Sequence, residues 1–266
     1  MNNLMLTPKE TVEALTISAH TKASMTTEKR MLLSIMAGLY IALGAQGFMV
    51  SYDNAFIRSS VFPVGLMLIV LVGGELFTGD CLMTFGYLQK KITIADYAKA
   101  MAQVFIGNFI GALIVVALLY LGGVYNNPVL SETIVNIGTS KLSMTFTQAL
   151  IKGILCNILV SLGVWFATTA KDTTGKILGC WFPIMLFVLT GYEHVVANMF
   201  YLPMAAIFDK SITVAQIFIK NFLPVTIGNF IGGGILVPIV YYRVHFHNKK
   251  ESISKGRELK VGVEVN

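Results

Sequence analysis

Glu193 and His194 stand side by side inside the apolar run from Trp181 to Pro203. Ionisable groups at bilayer depth are costly, and they usually face a cavity or a conduction path. An imidazole titrates near neutrality, so His194 is the residue here most suited to handling a proton. Glu193 reads as structural, bonding neighbouring backbone or pairing across a subunit contact. Nothing accompanies the pair that would make it hydrolytic or metal-binding. There is no HExxH and no GxSxG, and His245 and His247 lie beyond the last apolar run. No metal, no cofactor and no enzyme activity is expected.

This argument needs a membrane, and the composition supplies one. The chain of 266 residues is 55% apolar and 13% charged, with mean hydropathy +0.70. A soluble domain has about 25% charged residues. Six apolar spans are read at 29–50, 61–89, 98–123, 144–170, 177–208 and 217–243. The second and fifth are too long and too interrupted to be simple helices. No charge falls between Arg30 and Asp53, so the first span is long enough to cross, and no signal-peptide cleavage pattern precedes it.

With the N-terminus inside, fifteen of the twenty lysines and arginines fall in cytoplasmic segments. Arg58, Lys141, Lys210 and Lys220 fall in outer loops, and Lys152 falls inside the fourth span. Excess Lys and Arg mark cytoplasmic loops. Both termini are therefore expected in the cytoplasm, in a multi-pass protein of the cell's inner membrane. This bias accounts for the net charge of +6; no basic cluster is interleaved with aromatics as nucleic-acid binding would need. Cys81, Cys156 and Cys180 have no CxxC spacing and read as small core residues.

Three domains follow. Residues 1–28 form a cytoplasmic segment in which Thr7-Pro8-Lys9-Glu10 fits a capping box. Val12, Leu15 and Ala19 then recur at helical spacing, as in an amphipathic helix at the inner surface. Residues 29–243 form the membrane domain, and 244–266 a charged cytoplasmic tail.

The string Gly107-Asn108-Phe109-Ile110-Gly111 recurs as Gly228-Asn229-Phe230-Ile231-Gly232. Each copy opens the last span of its half, and each follows an interrupted span. Three spans per half require the halves to cross in opposite senses, an inverted-topology repeat. The four glycines, two GxxxG patterns, are expected to pack helices closely. The breaks fall at 73–80 and 190–198. Non-helical backbone at this depth is tolerated only where it is buried or lines water. Each break leaves a half-helix N-terminus whose N–H groups attract anions. Glu75 is expected to satisfy the first broken loop and Asn198 to support the second. Lys152 reads as a partner of Glu75 or Glu193, with snorkelling or anion attraction as the other roles.

Several stretches resemble the formate/nitrite transporter family. They are Gly74 to Gly79, Lys152 to Val160, Gly191 to Met199 and Pro224 to Asn229, so the resemblance covers nearly the whole membrane domain. It implies an all-α, aquaporin-like protomer with six transmembrane helices, an inverted 3+3 repeat and two broken helices, assembled as a pentamer. It also implies roles. His194 would be the central pore residue, with Thr78 and Asn157 beside it. Phe62, Val160 and Phe187 would form the outer constriction, and Leu66, Leu76 and Phe77 the inner one. Lys141 would attract anions to the outer vestibule. The sequence departs from the family pattern at Asp80 and at Val195-Val196.

The expected function is a channel or transporter for small monovalent anions of weak acids: formate, nitrite or hydrosulfide. The anion would share or take a proton at His194. Its partners would be those anions, protons and the bilayer, with no nucleic acid. A sensory or structural membrane protein is the competing class, but it would not need irregular backbone at mid-depth. An intramembrane enzyme is less favoured still.

Overall fold

Two buried asparagines explain how this membrane protein holds two stretches of non-helical backbone. The computed structural model describes residues 4–51 and 53–247. Among them the chain is helical apart from turns, loops and one isolated bridge, Met5 with Ala170. α1 (Pro8–Ala23) precedes the first crossing, α2 (Thr27–Val50). The second crossing is assembled from pieces: α3 (Ala55–Val61), α4 (Val64–Val72), a break over 73–76, α5 (Phe77–Asp80), one 3-10 turn and α6 (Thr84–Leu88). α7 (Ile94–Leu121) is the third crossing.

The second half repeats this order. α8 (Pro128–Ser143) precedes α9 (Phe146–Thr169). α10 (Thr173–Leu189), a break over 190–194 and α11 (Val195–Phe208) make the composite fifth crossing. α12 (Val214–Phe246) is the sixth. Pro224 and Pro238 lie in α12, each just after a π-helical stretch, Ile217–Phe222 and Ile231–Leu236. A helical proline lacks an N–H and collides with the carbonyl one turn back. The wider turns accommodate both defects without ending the helix.

In the first break, Asn108 of α7 donates to the carbonyls of Glu75 (2.9 Å) and Ser34 (2.8 Å) and accepts from the Phe77 N–H (2.9 Å). In the second, Asn229 of α12 donates to the carbonyls of Glu193 (2.9 Å) and Gly153 (2.8 Å) and accepts from the Val195 N–H (2.9 Å). The halves therefore correspond residue by residue: Asn108 with Asn229, Glu75 with Glu193, Phe77 with Val195. Gly73 and Gly191 also match, and both have positive φ, +106° and +68°, where a side chain would strain the turn.

The fold is the expected six-crossing inverted repeat, but several expectations shift. The repeated Gly-Asn-Phe-Ile-Gly strings lie in the middle of α7 and α12 rather than opening them. There they pack as expected, with Gly111 against the Ile35 carbonyl and Gly232 against that of Ile154. The loop expected around Lys141 is the helix α8. The boundary drawn at 243 falls inside a helix, since Arg243–His247 continue it. Lys249, Lys250, Lys255, Arg257 and Lys260, with the rest of the expected tail beyond 247, lie outside the described residues.

α1 forms through the capping box read from sequence. Its apolar face is buried in protein. Val12 and Leu15 pack with Leu82, Phe85, Trp165 and Val237. α1 and α8 are counterparts: each has 16 residues, begins with proline and carries a lysine in its last turn. The repeat thus starts one helix earlier than the crossings alone suggest.

Candidate functional site

The two breaks meet. His194 caps the N-terminus of α11, its Nδ1 accepting from the Ala197 N–H at 3.1 Å. Its Nε2 lies 2.9 Å from Thr78 Oγ1, in the first turn of α5. A ring nitrogen that accepts from a backbone N–H carries no proton, so in a neutral imidazole the proton sits on Nε2. Nε2–H then donates to the Thr78 oxygen. The result is a directed chain from the α11 terminus through the imidazole to the Thr78 hydroxyl, whose own proton remains to be donated. The positive end of the helix dipole polarises it in that direction. Asn157 holds the Thr78 backbone, donating to its carbonyl (3.2 Å) and to that of Asn229 (2.7 Å).

A cavity lies on either side of this polar step. The one on the α8 side, about 100 Å³, is lined by Phe48, Phe62, Lys141, Phe187, His194 and Tyr201 among others. Phe187 stacks on His194 at 5.7 Å between ring centroids and meets Phe62 edge-on at 5.6 Å. The cavity on the α1 side, about 240 Å³, is lined by Lys22, Leu66, Leu76, Gly79, Asp80 and Val164 among others. Phe62 and Phe187 thus line the α8-side cavity, and Leu66 and Leu76 the α1-side one. Val160 is buried but lines neither cavity, and Phe77 packs edge-on against Phe105 of α7.

Each cavity carries a lysine anchored to the carboxylate of its break. On the α8 side Lys141 donates to Glu193 Oε1 at 2.8 Å. Asn198 (2.7 Å) and Asn221 (3.4 Å) donate to the other oxygen. Glu193 is therefore satisfied by side chains of its own chain rather than by backbone. On the α1 side Lys22 donates to both oxygens of Glu75 at 2.9 Å and to Asp80 Oδ1 at 2.6 Å. Burial disfavours the Lys22 charge, but the Asp80 and Glu75 carboxylates outweigh it and hold the ammonium above its usual range. The first loop is held by Asn108, so Glu75 serves Lys22 and not the loop as expected.

Lys152 forms no ion pair with Glu75 or Glu193, contrary to expectation. It lines a polar basin with Arg58, Ser140, Lys141 and Glu193. Sequence reading passed over Lys22, Asn108, Asn221 and Asn229 as site residues. One signal was present: Lys22 precedes Glu75 by nearly the interval at which Lys141 precedes Glu193.

The family model described as formate/nitrite transporter matches residues 9–243. The uncharacterized transporter YrhG of Bacillus subtilis is 40% identical, over 92% of this chain and 95% of its own length. The formate channel BtFdhC of Bacillus thuringiensis is 36% identical, over 88% of this chain and 94% of its own. A solved FNT family ion channel superposes with a TM-score of 0.83 at 28% identity, covering 88% of this chain and 98% of that one. A pentameric formate channel with formate bound superposes with a TM-score of 0.72 at 28% identity, covering 82% and 97%. The broken-helix pair, the inverted repeat and these matches lead to one conclusion: the chain belongs to the formate/nitrite transporter family.

Proposed function

We propose that this protein passes small monovalent anions of weak acids, formate foremost and nitrite and hydrosulfide as alternatives, through one pathway per protomer of a pentamer. Both termini face the cytoplasm, so α8 lies on the outer side and α1 on the inner. The hydrogen-bond chain from the α11 terminus through His194 to Thr78, set between two apolar collars, carries the reading.

Lys141, Lys152 and Arg58 raise the anion concentration in the outer vestibule. Stripping water from a bare anion in an apolar collar is costly. Protonation removes most of that cost, so the substrate crosses Phe62 and Phe187, then Leu66 and Leu76, as the neutral acid. Between the collars the Thr78 hydroxyl and the polarised imidazole offer hydrogen bonds. His194 Nδ1 is engaged with the α11 backbone, which favours an imidazole that stays neutral. The proton then comes from vestibule water, and His194 supplies polarity and position.

Stopped-flow uptake of formate, nitrite and hydrosulfide into proteoliposomes, from about pH 5 to about pH 8, tests this. Uptake well above empty vesicles for at least one anion, rising as external pH falls, is expected. Flux no faster than in empty vesicles for all three would remove the proposal.

A further inference from the structure

We propose that Glu75 and Asp80 hold one proton between them, making the inner cavity a proton-binding site built on a carboxylic acid–carboxylate pair anchored by Lys22. The direction of its effect rests on the anion-transport reading above.

The two-fold correspondence of the halves makes the case. Glu75 matches Glu193 and Lys22 matches Lys141, so Asp80 falls on Asn198. In the outer half the Asn198 amide donates to Glu193 Oε2 at 2.7 Å and completes a neutral cluster of one ammonium and one carboxylate. Asp80 holds the same place beside Glu75. A carboxyl group can donate as an amide does only when it carries a proton.

Two observations point the same way. Asp80 is 3% exposed and its Oδ2 has no hydrogen-bond partner, while Oδ1 is engaged by Lys22. Two ionised carboxylates, both buried, sharing the single ammonium of half-buried Lys22 would also leave an uncompensated negative charge, which is strongly unfavourable. A proton on Oδ2 gives that oxygen a donor and makes the cluster neutral, like its outer counterpart.

The remaining titratable groups facing Asp80 do not replace this balance. Cys81 follows it in the chain, its thiol donating to the Phe77 carbonyl. The Tyr97 hydroxyl of α7 donates to the Cys81 carbonyl. The α9 residues lining the cavity, Val164 and Thr168, and the α12 segment 231–236 carry no charge.

The site exchanges its proton with water in the inner cavity, and its charge moves between zero and minus one. Deprotonated, it places a negative charge beside Leu66 and Leu76 and repels anions approaching from the cytoplasm.

Infrared difference spectra of the full-length protein in liposomes test the site itself. A protonated-carboxyl C=O band that shifts in D2O is expected near neutral pH, and it should vanish in both Asp80→Asn and Glu75→Gln. Absence of the band from the wild type, or its survival in either variant, overturns the proposal. Asp80→Asn reproduces the outer arrangement and should assemble. Formate efflux tests the consequence. The ratio of wild-type to Asp80→Asn efflux should fall about tenfold as internal pH rises, the low end of what charge at such a mouth does to local ion concentration. Because it is a ratio, the substrate's own titration cancels. A constant ratio overturns the proposal. If the wild type moves no formate, the transport reading fails, and the infrared bands still decide the proton site.

Discussion

His194 Nε2 lies 2.9 Å from Thr78 Oγ1, joining the two breaks, while Nδ1 of the same ring receives the Ala197 N–H. Both nitrogens are in use, so the imidazole cannot take a second proton without losing its cap on α11. His194→Asn can still cap the helix. It is expected to lower the rate of formate uptake and keep the shape of the pH profile. A flat profile in stopped-flow uptake would return the proton to the imidazole. His194→Phe removes the cap, at about 1 kcal/mol, and should abolish uptake while the oligomer persists in native mass spectrometry.

Asn108 and Asn229 each make three buried hydrogen bonds, two at a break and one to a neighbouring helix. Replacing either by Ala strands backbone groups in the protein interior, each worth roughly 1–3 kcal/mol. Both variants should melt well below the wild type in a fluorescence-detected thermal assay of detergent-solubilised protein. A Tm unchanged in Asn229→Ala would mean that something else holds the second break.

Lys141 has two separable effects. Lys141→Ala removes the cation from a buried carboxylate, and breaking such a pair costs on the order of 3–5 kcal/mol. It should also slow uptake mainly at low ionic strength, because attraction across the vestibule is screened by salt. Adding Glu193→Gln should recover stability and leave uptake slow. Recovery of both in the double variant would show that Lys141 acts only as a counter-ion.

Outside the membrane, the start of α1 should be sensitive to acid. The Glu10 carboxyl is held below its usual range, first by the Thr7 backbone N–H and then by the Thr7 hydroxyl. A lowered folded-state value means the cap contributes fully above the unfolded pKa, about 4.3. Its contribution is lost as pH falls through the folded value. Protection of the amides of residues 9–11 from hydrogen exchange should fall at the acid end of that window. Thr7→Ala should show fast exchange at every pH.

Composition and periodicity made the crossings and both breaks legible, because hydropathy and glycine placement are local signals. The Gly-Asn-Phe-Ile-Gly repeat announced the inverted symmetry, but not what its asparagine does. Asn108 reaches residues more than thirty positions away, and no window of sequence displays that contact. Lys22 was hidden for the same reason, counted as a surface charge until folding brought Glu75 and Asp80 to it. α8 did leave a local trace: Asn127-Pro128 is a cap followed by proline, a helix-start signal. Ring orientation was not legible at all. The family resemblance places Phe77 in the inner constriction, yet its ring turns to Phe105.

The seat of α1 has a consequence for the order of biosynthesis. Val12 and Leu15 rest on Leu82 and Phe85 from the first half and on Trp165 and Val237 from the second. α1 precedes all six crossings, yet its seat is complete only after α12 has been inserted. The docked helix therefore acts as a completion check on the six crossings. A chain stopped before Val237 would leave α1 without its full seat, its apolar face exposed to the quality-control proteases that remove unfinished membrane proteins.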